Sequence, residues 1–109
     1  MVLRHSLLII LAGVVVGCSG TSNSAAVDEN YVPDGEQLYQ KNCIACHGGD
    51  GTLGKAGSKN LQQSTLSPEE VRKMIELGGG NGMPRFKEIL GREGEMDAVV
   101  EYVMQMRGR

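Results

Sequence analysis

Five consecutive residues, Cys43-Ile44-Ala45-Cys46-His47, leave this chain few folds to choose from. Their C-x-x-C-H spacing is that of c-type haem attachment. Two thiols so spaced can each add to one vinyl group of a single haem, forming two thioethers. The adjacent His47 then lies under the ring, with its imidazole in reach of the iron as proximal ligand. Gly48 and Gly49 follow and let the chain turn away.

Two competing readings fail. A zinc site needs four soft or imidazole ligands, usually as two pairs, and after the motif no further Cys or His remains. A thioredoxin-like dithiol sits at a strand-to-helix junction of a βαβ pattern, and no such pattern is present.

With 109 residues the chain has one domain's worth of sequence, and its net charge of −2 offers no nucleic-acid-binding surface. Aromatic residues are scarce at 4%, and there is no Trp. A domain this small commonly needs a staple or a cofactor. A covalently held haem c would give the core a large apolar surface to close on.

The first residues read as an address. Arg4 precedes an almost wholly apolar run from Ser6 to Gly17. About 20 apolar residues are needed to span a bilayer, so the run reads as a secretory signal. It ends Val15-Val16-Gly17-Cys18, which resembles the lipobox of bacterial lipoproteins. There the chain is cut before the Cys, whose thiol carries diacylglycerol. The expected division is a signal peptide over 1–17, a lipidated Cys18 and tether over 18–32, and a haem domain over 33–109. The cysteines are then all assigned: Cys18 to lipid, Cys43 and Cys46 to haem. Cleavage would leave 10 basic and 13 acidic residues, and His47 as the sole histidine. Two histidines could not then hold one iron within the chain.

Ser19 to Asn30 is polar, lacks apolar periodicity, and reads as a flexible tether. Asp34 caps a first helix, with Gln37 three residues on, and this helix is expected to carry both cysteines. Gly48 to Gly57 is a loop rich in turn residues, with Leu53 and Leu61 expected to face inward. Ser67-Pro68-Glu69-Glu70 opens a second helix with a Ser cap, a Pro at the first position and a closing Glu. Its apolar face is Val71, Met74, Ile75 and Leu77, and Gly78 to Gly82 ends it. The last helix runs from about Glu93 to Arg107, with Met96, Val99, Val100 and Val103 at i, i+3, i+4 and i+7. No strand pattern stands out, and the expected class is all-α.

A second axial ligand is sought among five methionines. Met74, Met96 and Met104 fall on helical stripes and read as core; Met106, near the chain end, reads as surface. Met83 follows the glycine run and precedes Pro84, on a loop with restrained backbone. It is the expected thioether ligand.

These residues resemble the class I cytochromes c over about Pro33 to Arg107. Beyond the haem motif, Gly35 and Tyr39 match the family's small and aromatic positions on the first helix. Tyr102 matches the aromatic of the last helix that packs on them, and Gly82-Met83-Pro84 matches the distal ligand loop. Together with the lipobox, the chain resembles the small lipid-anchored cytochromes c of Gram-positive bacteria. The resemblance implies three to four short helices wrapped around one haem, and single-electron transfer rather than catalysis. It also implies a quinol–cytochrome c reductase and a terminal oxidase as partners, a place on the extracytoplasmic face of the cell membrane, and a monomer. Tyr39, Leu61 and Tyr102 are expected to exclude water from the haem. One position departs: the family's Pro, whose carbonyl accepts the proximal His N–H, is represented by Ser58 after Gly57. A haem-based gas or redox sensor with a displaceable Met83 is the alternative. A peroxidase would need distal acid–base groups, and no histidine is left to serve.

Overall fold

The computed structural model describes residues 28–109; the leader, Cys18 and most of the tether lie outside them. Four α-helices carry the described chain: α1 (Gly35–Asn42), α2 (Ile44–His47), α3 (Pro68–Leu77) and α4 (Glu95–Gln105). Two 3-10 turns, Lys55–Gly57 and Leu61–Gln63, lie between α2 and α3. Among the described residues there is no strand beyond a single bridge between Gly79 and Met83. None of their helices is long and apolar enough to cross a membrane. The class is all-α, as expected.

The helix starts follow from cap chemistry. Asp34 Oδ1 accepts from the Gln37 backbone N–H at 3.1 Å. The Gln37 side chain returns to Asp34 Oδ2 (2.9 Å) rather than to the Asp34 backbone N–H, so Asp34 caps the helix without a reciprocal capping box. At α3 the box is complete: Glu70 N–H donates to Ser67 Oγ, and Ser67 N–H to Glu70 Oε2. The first helix stops short of the expected extent. α1 ends at Asn42, Cys43 sits at the joint with φ −117° and ψ −30°, and a separate turn, α2, carries Cys46 and His47.

α4 is the spine, packing on both α1 and α3. Gly35 permits the α1–α4 crossing, because a Cβ there would overlap the Ala98 carbonyl. Tyr39 and Tyr102 stack across it with ring centroids 5.3 Å apart. Arg72 of α3 pairs with Asp97 of α4. Both ends of α4 are fastened as well. At its start Glu95, 6% exposed, accepts from the Tyr31 hydroxyl (2.7 Å) and the Arg92 backbone N–H (3.2 Å). The Arg92 guanidinium lies over the Tyr31 ring. The end of the tether is thus bound to the domain. Beyond α4, Arg107 donates to the Leu66 carbonyl and Arg109 Nε to the Gln105 carbonyl.

The core is Tyr39, Val71, Ile75, Phe86, Leu90, Met96, Val99, Val100, Val103 and Met106. Met106 corrects an expectation: it is fully buried. The stripe through Val103 simply continues three residues further. Leu53, expected inside, is 58% exposed, its Cβ resting against Gly48 on the outside of the turn. Met74 and Leu77, both expected on the apolar face of α3, are 39% and 53% exposed.

Candidate haem site

A cavity of about 640 Å³ opens beside the C-x-x-C-H turn, within the size range of small-molecule and cofactor sites. Cys43, Cys46, His47, Leu61, Ile75 and Met83 all border it. Four of the five predicted site residues, Cys43, Cys46, His47 and Met83, are therefore gathered around one space. The fifth, Cys18, lies outside the described residues.

Cys43 and Cys46 are both free thiols, Cys43 half-buried and Cys46 exposed. Burial, helped by the neighbouring Cys46, pushes the Cys43 thiol up to about 11.

His47 is 9% exposed. Its Nδ1 lies 3.0 Å from the Lys59 carbonyl oxygen. A carbonyl can only accept, so Nδ1 carries the proton and Nε2 keeps its lone pair free. The acceptor is Lys59, one residue beyond the Ser58 expected from sequence. Ser58 instead donates its hydroxyl to the Cys46 carbonyl at 2.7 Å.

The turn beneath His47 is braced from below. Tyr39, fully buried, donates its hydroxyl to the Gly48 carbonyl at 2.6 Å. Burial is the main cause that raises this phenol to about 12. Tyr39 and Leu61 border the cavity as expected, whereas Tyr102 stands behind Tyr39 and does not.

Met83 sits half-buried on a closed turn: Gly79 N–H donates to the Met83 carbonyl at 3.1 Å. Gly78 makes this closure possible. Its φ is +78°, and a Cβ there would stand 2.5 Å from the Met83 oxygen. Met74 also borders the cavity, its sulfur close to Gly79.

Sequence reasoning missed Phe86, 7% exposed and on the cavity wall. Its N–H donates to the Ile75 carbonyl, and Leu90 N–H returns to Phe86 O. The segment between Pro84 and Gly91 is too short to display helical periodicity. Its i, i+4 apolar pair was the only available signal.

A free imidazole nitrogen, two thiols and a thioether bordering one apolar-walled cavity form a donor set that fits haem c. Comparison with known proteins agrees. The family model described as cytochrome c oxidase, cbb3-type, subunit III matches residues 30–103. The chain belongs to this family of class I c-type cytochromes.

Among relatives of this cytochrome is cytochrome c6 of Cladophora glomerata, 31% identical over 71% of this chain and 90% of that one. The cbb3-type cytochrome c oxidase subunit CcoP of Rubrivivax gelatinosus is 27% identical over 83% of this chain. The match spans only 31% of that subunit's length. The solved structure of the KustC0563 c-type cytochrome superposes with a TM-score of 0.60 at 29% identity, covering 68% of this chain and 98% of that one. The cytochrome holds haem c covalently, and its function is electron transfer.

Proposed function

We propose that this cytochrome carries single electrons on the extracytoplasmic face of a membrane, anchored by lipid on Cys18. In this reading Cys43 and Cys46 bind the haem as thioethers, and His47 and Met83 hold the iron. The observation that carries the ligation is the Nδ1–Lys59 bond, which frees Nε2, together with Met83 on a closed turn bordering the same cavity.

When bound, haem c supplies a reversible one-electron couple. The protein's residues fix and shield it. Lys59 orients the imidazole, the Gly78–Met83 closure presents the thioether, and Tyr39, Leu61 and Phe86 limit water. With His47 and Met83 as its ligands the iron would favour the ferrous state more than with two imidazoles.

The family match and the likeness to CcoP support association with a terminal oxidase; a quinol–cytochrome c reductase as donor rests on the resemblance to the small cytochromes c alone. The anchor is supported by the apolar run that ends at Gly17-Cys18.

Absorption spectra of wild type and Met83→Ala, each with haem attached, test the ligation. The wild type is expected to show a sulfur-to-ferric-iron band and no reaction with carbon monoxide. Met83→Ala is expected to lose the band and bind the gas. Ready binding by the wild type would transfer support to the sensor reading. For the anchor, Cys18→Ser is expected to move the protein from the membrane to the soluble fraction. Membrane retention of a Cys18→Ser chain shown by its mass to have lost residues 1–17 would refute lipidation there.

A further inference from the structure

We infer that the Ser58 hydroxyl is the tie that sets the His47 imidazole, and through it the balance between the two oxidation states. The inference rests on the reading that His47 binds the haem iron.

The loop that returns to His47 is poorly braced by its own backbone. Gly54, Ala56 and Gly57 have φ of +66°, +53° and +79°. For Ala56 this left-handed conformation is unfavourable, and such a residue persists only where its surroundings hold it. Nothing lies within 4 Å of where a Gly57 Cβ would stand, so packing does not wedge the loop there. The bonds from Gly57 N–H to Gly54 O and from Ser58 N–H to Lys55 O close the loop only on itself.

Two bonds tie its far end to the haem-binding turn, and they are adjacent on both sides. Ser58 Oγ donates to the Cys46 carbonyl at 2.7 Å, and the next residue, Lys59, accepts from His47 Nδ1 at 3.0 Å. The hydroxyl thus turns a single-point contact into a two-point clamp. Without it the Lys59 carbonyl is held only by the imidazole and, two residues on, by the bond from Leu61 N–H to the Gly51 carbonyl at 2.9 Å. A firm N–H···O=C bond makes the ring a stronger donor and so favours ferric iron. Ser58 is a positioning residue.

The test uses haem-loaded wild type, Ser58→Ala and Ser58→Thr. Thr keeps the hydroxyl, and Ser58's φ of −60° and ψ of 142° suit a β-branched residue. Two quantities are read: hydrogen exchange of the His47 Nδ1–H by NMR, and the midpoint potential. In Ser58→Ala the ring proton is expected to exchange about tenfold faster, with low-spin His/Met spectra retained. At the wild-type midpoint its reduced-to-oxidised ratio is expected to rise about threefold, roughly half of the 59 mV that a tenfold change represents. Ser58→Thr is expected to match wild type in both. Wild-type values in Ser58→Ala would overturn the inference, as would a Ser58→Thr that behaves like Ala. If the wild type itself shows no His47 ligation, the underlying reading fails, and wild type alone reports that.

Discussion

Tyr39 keeps its phenol inside the fold by donating to the Gly48 carbonyl, on the turn that follows His47. Its ionisation is held up to about 12, against 10.0 for a free phenol. The folded state therefore resists losing this proton. The sign follows: the stabilisation is whole below about pH 10 and is lost as pH rises toward 12. In that window stability is expected to fall by about 1 kcal/mol per pH unit. Tyr39→Phe should flatten the slope in denaturant titrations while costing about 1–2 kcal/mol at pH 7 for the orphaned carbonyl. An unchanged alkaline slope would remove Tyr39 as its source. At this scale the sequence was readable wherever a residue's type fixes its chemistry. Cys43, Cys46, His47, Met83 and Tyr39 all reach the cavity. It was opaque where three-dimensional register decides, as with the shift from Ser58 to Lys59 and the outward turn of Leu53.

Helix ends were legible when a side chain marks them. The Ser67–Glu70 box and the Asp34 cap both form. The break between α1 and α2 was not, because no Gly or Pro stands there. Backbone bonding runs on through it, with Cys43 N–H donating to Tyr39 O and His47 N–H to Cys43 O. Only the dihedrals of Cys43 change. The α1–α4 crossing was anticipated from Gly35, Tyr39 and Tyr102, and it makes a sharp prediction. In Gly35→Ala the new methyl meets backbone at Ala98, which cannot swing aside. Overpacking of this kind costs about 1–3 kcal/mol, and the melting temperature should drop by roughly 5–15 °C. Thermal melts followed by circular dichroism would check it; an unshifted transition means that the helices can separate at no cost.

For the molecule as a whole, the core and the haem cavity are hardly separable. Tyr39, Val71, Ile75, Phe86 and Val103 belong to the core and also border the cavity. An emptied core space costs about 24 cal/mol per Å³. Even a third of 640 Å³ then amounts to about 5 kcal/mol, comparable to the total stability of a small domain. Cys43→Ala/Cys46→Ala, made under haem-attaching conditions, is expected to lose most of its helical circular dichroism at 25 °C. Retention of a cooperative melt would show that the helices stand without the cofactor. Arg107 is the remaining clasp, joining the end of α4 to the segment that carries Leu61 and Leu66. Arg107→Ala should lower stability by about 1–3 kcal/mol through the carbonyl it abandons, read as a shift in denaturant midpoint.

A shallow groove runs beside the crossing of α1 and α4, bordered by Pro33 to Glu36 at the start of α1 and by Arg109 beyond the end of α4. None of its residues borders the haem cavity. The stretch leading into α1 and the residue closing the chain beyond α4 thus share one furrow, and nothing seated along it has to cross the cavity mouth.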